Sequence, residues 1–173
     1  MKPVPMKWRE EETAAANARV FLPEVLLQYL KLGERLVADG VHPRQLHQLR
    51  LATKHFRYGI EMFEPLFGPK VAELLGILRE TQQRLGEISD ATASEAWLRQ
   101  HKIQGDVGSK ALLSFLDQKA AKQAGEFGAF WSTHWGSPEL RNRWVQYLRR
   151  YAGRSGVRPP PLHRQPANEN VLI

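Results

Sequence analysis

Four side chains that can carry positive charge recur at helical spacing within residues 46–58. They are His47, Arg50, Lys54 and Arg57, placed three, four and three residues apart. At about 3.6 residues per turn, that spacing puts all four on one face of a helix. Leu49, Thr53, Phe56, Ile60, Phe63 and Phe67 repeat at the same spacing, centred roughly a third of a turn away. One helix therefore carries an apolar stripe with a row of cations along its edge. A row of that kind is costly unless something anionic faces it, so the chemistry is anion binding. Glu61 is the first acid on the same face, one turn beyond Arg57. The bland alternative is a solvated basic face. The near-purity of the row, its place at a groove edge and its opening histidine favour a phosphate-rich ligand.

Other residue sets carry less. His42, His47, His55, Glu61 and Asp90 invite a metal-site reading, but Arg50, Lys54 and Arg57 would repel a cation there. Glu87 and Asp90 share a helical face. An N-terminal cap, or an ion pair with Arg50, Arg57 or Arg84, explains them better than a catalytic pair. The sequence has no phosphate-cradling loop of the G-x-x-x-x-G-K type and no nucleophile elbow. The expected role is binding rather than catalysis, with no cofactor and no metal. Trp131, Trp135 and Trp144 could stack on bases, but their spacing among apolar residues reads as core. Arg141, Arg143, Arg149 and Arg150 form a second basic zone.

The elements that must position the row all read as helices. A first helical pattern covers residues 10–20, with a kink or short connection at Phe21 and Leu22 before Pro23. From Glu24 the periodicity runs through Leu26, Tyr29, Leu30, Gly33, Leu36 and Val37. Pro43 sits near the start of the signature helix, which reaches about Leu66, and Gly68 and Pro69 end it. Val71, Leu74, Leu75, Leu78, Gln82 and Leu85 face the core of the next helix. Gly86 allows a bend there, and helix resumes over residues 91–101. A loop is expected over residues 105–108 and another helix over 109–135. Ser137 is an N-cap candidate for a last helix over 138–151. Residues 1–9 read as a flexible lead-in, 10–152 as one helical domain, and 153–173 as a Pro-rich disordered basic tail. The fold class is all-α, an antiparallel bundle of long helices.

Composition sets the bounds. The 173 residues suit one domain, and 25 Lys and Arg against 18 Asp and Glu give a formal charge of +7. That balance favours polyanions: nucleic acid, phosphate polymers or an anionic surface. The chain has no cysteine, which excludes disulfides, thiol catalysis and zinc-thiolate sites. It also fits a reducing compartment, and the expected location is cytoplasmic. No apolar run is long enough to span a membrane, and the first residues lack the apolar core of a signal peptide.

The pattern His47-x-x-Arg50-x-x-x-Lys54-x-x-Arg57-Tyr58, then Glu61, then Leu78-x-x-x-Gln82-x-x-Leu85-Gly86-Glu87-x-x-Asp90 resembles the CHAD (conserved histidine α-helical domain) family. Phe127, Phe130 and Trp131 look like the family's terminal helix, so the resemblance covers roughly residues 20–150. It implies a four-helix half of a CHAD domain, here with an extra N-terminal helix, and a basic groove that binds inorganic polyphosphate. The implied ligand contacts are His47, Arg50, Lys54 and Arg57, with Arg44, His55 and Arg79 as further candidates. His55 stands where the family commonly has Lys or Arg. Successive phosphates suit a rigid row of Arg and Lys through charge-assisted hydrogen bonds. Neutral His47 can donate one more, and an ordinary imidazole gains charge near pH 6.5. Only one copy of the signature is present. If the missing half left Leu49, Phe56 and Phe63 partly in water, burying them would favour a homodimer. The alternatives are a nucleic-acid-binding helical module and a scaffold docking an acidic protein partner.

Overall fold

Thr13 opens the first helix, its Oγ1 accepting a hydrogen bond from the Ala16 N–H at 3.1 Å. The computed structural model describes residues 8–38, 40–101 and 107–151. Five α-helices follow in order: α1 (Ala14–Ala38), α2 (Leu46–Phe63), α3 (Val71–Gln100), α4 (Val107–Trp135) and α5 (Pro138–Tyr151). Two short 3₁₀ turns, Pro43–Gln45 and Glu64–Leu66, flank α2, and each has a proline in its first turn, where the missing N–H costs nothing. Among the described residues there are no strands. The all-α fold class read from the sequence holds.

Two expected breaks are absent. Residues 21 and 22 do not divide a separate N-terminal helix from the next, because α1 runs 25 residues straight through Pro23. Proline removes one helical N–H. Leu22, Pro23 and Leu26 are all buried, and that packing holds the turn together. Nor does Gly86 interrupt α3, which is continuous from Val71 to Gln100. The chain before α1 is also tied down at one point. Asn17, itself buried, accepts from the Arg9 N–H at 2.9 Å and donates to the Arg9 carbonyl at 3.0 Å. Residues 1–7, residues 105 and 106 of the expected loop, and the whole Pro-rich tail lie outside the described residues, whereas 107 and 108, also expected as loop, already belong to α4. At the other end the cap reading is met, with the Leu140 N–H donating to Ser137 Oγ at 3.2 Å.

α2 packs on both α1 and α3, α3 packs on α4, and α1 packs on α5. Tyr29 ties the signature helix into this arrangement. It is buried, lies 5.5 Å from Phe56 and 5.4 Å from Trp131 (ring centroids), and its oxygen accepts from Thr53 Oγ1 at 3.4 Å. Burial pushes its hydroxyl well above the usual range, opposed by hydrogen bonding to Thr53 and Thr81. One hydroxyl on α1 thus engages α2 and α3 together. α4 approaches α1 closely at one point. A side chain at Gly33 would overlap the Trp131 ring, so only glycine lets these two helices meet there. Trp131, Trp135 and Trp144 are buried in the core, as their spacing predicts.

The apolar stripe of α2 is likewise inside. Leu49 and Phe56 are 0% exposed and Phe63 is 5% exposed. This corrects the expectation that these three stand partly in water. Helices of the same chain already cover them, and the homodimer loses the ground on which it was expected. The apolar side chains of α2 that do stay exposed are Leu51, Tyr58 and Met62, on its outer face.

Candidate anion-binding groove

α2 and α3 run antiparallel, and cross-links fix their register. Arg57 Nε donates to Gln82 Oε1 at 2.9 Å near one end, and Arg44 Nη2 lies 3.2 Å from Glu95 Oε1 at the other. Because the apolar stripe of α2 must face inward, helical spacing turns the row next to it toward α3. The row therefore lies along the α2–α3 groove. From His47 to Arg57 it spans ten residues, or about 15 Å of helix.

The centre and the ends of this groove differ in charge. His47 and Lys54 are exposed and Arg50 is half-buried. None of the three has a carboxylate partner among the described residues. Arg50 Nε is buried without a hydrogen-bond partner there. The half-buried Arg50 makes no hydrogen bond or ion pair among the described residues, which leaves its guanidinium uncommitted. His47 borders a cavity of about 240 Å³, whose α3 wall is Leu85, Ser89, Thr92, Ala93 and Ala96. Those side chains are small or uncharged, so α3 leaves room and brings no acid of its own.

At the ends, carboxylates already hold the arginines. Glu61 Oε1 accepts from Arg57 Nη1 at 2.7 Å and lies 3.7 Å from Arg79 Nη2. Glu95 Oε1 is 2.7 Å from Arg99 Nε and 3.2 Å from Arg44 Nη2. The Glu95 carboxyl is held below the usual carboxylate range, chiefly by the Arg99 hydrogen bond, with Arg44 adding to it and burial opposing. Tyr58 caps the outer side, its ring 4.8 Å from the Arg57 guanidinium and 5.6 Å from Lys54 Nζ.

The sequence-derived candidates thus separate. The structure sets His47 and Arg57 against α3, with Arg50 and Lys54 between them on the same face of α2 by helical spacing, while Arg44 and Arg79 pair with Glu95 and Glu61 at the two ends. His55 does not join them. It is exposed and lies about 100° round the helix from Lys54, away from α3. Glu87 pairs differently from expectation. It accepts from Gln83 and from Gln123 of α4, both at 3.3 Å, while Arg57 and Arg84 take Glu61 and Glu80 instead. Gln82, expected in the core, is half-buried and holds Arg57. Glu95 was not singled out, although its four-residue spacing to Arg99 marks an intrahelical pair. Among the described residues no three His, Asp or Glu side chains group as a metal site, and no helix is long and apolar enough to cross a membrane.

The family model for the CHAD domain matches residues 5–99, more than half of the 173. The chain belongs to the CHAD family. The match takes in α1, α2 and nearly all of α3, and therefore both walls of the groove. It stops short of α4 and α5, so the aromatic cluster of Phe127, Phe130 and Trp131 lies beyond the matched CHAD region. No curated protein and no solved structure matches the chain.

Proposed function

We propose that the α2–α3 groove of this CHAD domain binds inorganic polyphosphate, holding the chain without transforming it. The observation that carries the reading is a row centre without carboxylates: His47, Arg50 and Lys54 lie in line and none is paired with an acid among the described residues. A phosphate polymer presents charge at regular intervals and offers no base edges, which suits a straight row of donors. Membership of a family linked to polyphosphate binding supports the same ligand.

Calorimetric titration with long-chain polyphosphate tests it. Arg50→Glu is expected to weaken binding tenfold or more, since a charge-assisted contact is worth roughly 1.5–3 kcal/mol. The triple reversal at Arg50, Lys54 and Arg57 is expected to abolish binding while the circular dichroism stays helical. Unaltered affinity in a folded triple variant sinks the proposal. Duplex DNA of matched charge should compete weakly; equal competition would move the reading to a nucleic-acid module. Sedimentation of the same samples reports assembly. A homodimer would not bury Leu49, Phe56 and Phe63, which are already inside; on α2 it would find Leu51, Tyr58 and Met62 exposed.

A further inference from the structure

Glu61 occupies the Arg57 end of the groove. Its carboxylate sits within ion-pair range of two arginines at once, Arg57 and Arg79. Its side chain is 28% exposed, so it can swing into water without opening the core. Arg57 does not depend on it for aim, because Gln82 Oε1 separately holds the Arg57 Nε. The two arginines are therefore preset for an anion, and the protein supplies its own when the groove is free.

We propose that Glu61 is a built-in competitor that makes the groove select for chain length. The proposal rests on the polyphosphate reading and adds the length class of the ligand. A short anion neutralises the centre, at His47, Arg50 and Lys54, and leaves Glu61 in place. A longer chain anchored at the centre presents its next phosphates to Arg57 at high local concentration. Each phosphate offers more acceptor oxygens than one carboxylate oxygen shared between two guanidinia. The chain displaces Glu61 and gains Arg57 and Arg79. Long polyphosphate is thereby favoured over pyrophosphate by more than its extra length alone would give.

The test compares wild type, Glu61→Gln and Glu73→Gln, each titrated with pyrophosphate and with long-chain polyphosphate. Glu73 pairs with Arg143 at 2.7 Å, away from the groove, so its variant removes the same charge without touching the site. Glu61→Gln is expected to tighten long-chain binding about threefold, as the release of one partly exposed ion pair implies. Its pyrophosphate affinity should stay within about twofold. Glu73→Gln should do none of this. Weaker or unchanged long-chain binding in Glu61→Gln overturns the proposal and makes Glu61 a residue that positions Arg57. The groove reading survives that result provided Arg50→Glu still weakens binding tenfold or more. Equal tightening for pyrophosphate, or equal tightening in Glu73→Gln, also overturns it, since net charge alone would then be acting. Arg50→Glu without effect removes the groove itself and the competitor with it.

Discussion

Glu61 and Glu95 stand at opposite ends of one groove and each takes two arginines, yet their surroundings differ. The Glu95 side chain is 4% exposed, and it ties the 3₁₀ turn of residues 43–45 to α3 through Arg44. The Glu61 side chain keeps several times that exposure at the end of α2. A desolvated carboxylate cannot leave its cations without stranding charge in the interior, so that pair acts as a structural clasp. A wet carboxylate exchanges its partners for water or for another anion at small cost. The same ion-pair chemistry ties the fold at one mouth of the groove and, on the proposed reading, guards the ligand track at the other.

The largest effect that separates the two is on stability. Glu95→Ala is expected to cost about 1–2 kcal/mol, the usual toll of losing a charge-assisted bond whose partners can still reach water. Glu61→Ala should stay within about 0.5 kcal/mol, as surface changes do. Urea denaturation of both variants measures this through the midpoint at constant slope. Equal losses would erase the distinction between clasp and guard.

Acid sharpens the comparison next. The Glu95 carboxyl titrates below its ordinary value in the folded protein, which is about 4.5 when unperturbed. A depressed folded value means that the stabilisation is fully present above the unfolded value and is lost as pH falls through the folded one. The gap in thermal midpoint between wild type and Glu95→Gln should therefore be widest near pH 6 and shrink toward about pH 3. A gap that stays constant across that window would show that Glu95 acts by shape rather than by charge.

Much of this was legible in the sequence because it is periodic. Leu49, Thr53, Phe56, Ile60 and Phe63 mark the buried side of α2, and the row beside them follows from helix geometry alone. Ser137 announced its helix start because capping is a local interaction. What stayed hidden was settled between distant elements. Pro23 reads as a break, but it is carried through because tertiary packing outweighs one lost hydrogen bond. Leu49, Phe56 and Phe63 read as exposed only on the assumption that one half leaves its core open, whereas the chain's own helices close over them. The pairing of Arg44 with Glu95, fifty-one residues away, has no local signature. Nor does the choice of Glu61 rather than Glu87 or Asp90 as the acid that meets Arg57, except for its four-residue spacing.

The smallest expected effects come from the outer arginines, and they make the sharpest comparison of the two mouths. Arg79 meets Glu61 at 3.7 Å from a largely exposed position, so Arg79→Ala should change stability by less than about 0.5 kcal/mol. Arg99 is the leading partner of Glu95, at 2.7 Å, and its loss leaves that buried carboxylate to Arg44 alone. Arg99→Ala should therefore lower the urea midpoint measurably more than Arg79→Ala does. In polyphosphate binding the order should reverse. Arg79 lies at the end that a long chain gains, so its loss should weaken long-chain binding by about threefold, in proportion to one exposed charge contact. Arg99 is committed to Glu95, and its loss should leave binding within about twofold of wild type, since no contact on the track is removed. If both variants move stability and binding in the same order, the two carboxylates play one role, and burial does not divide them.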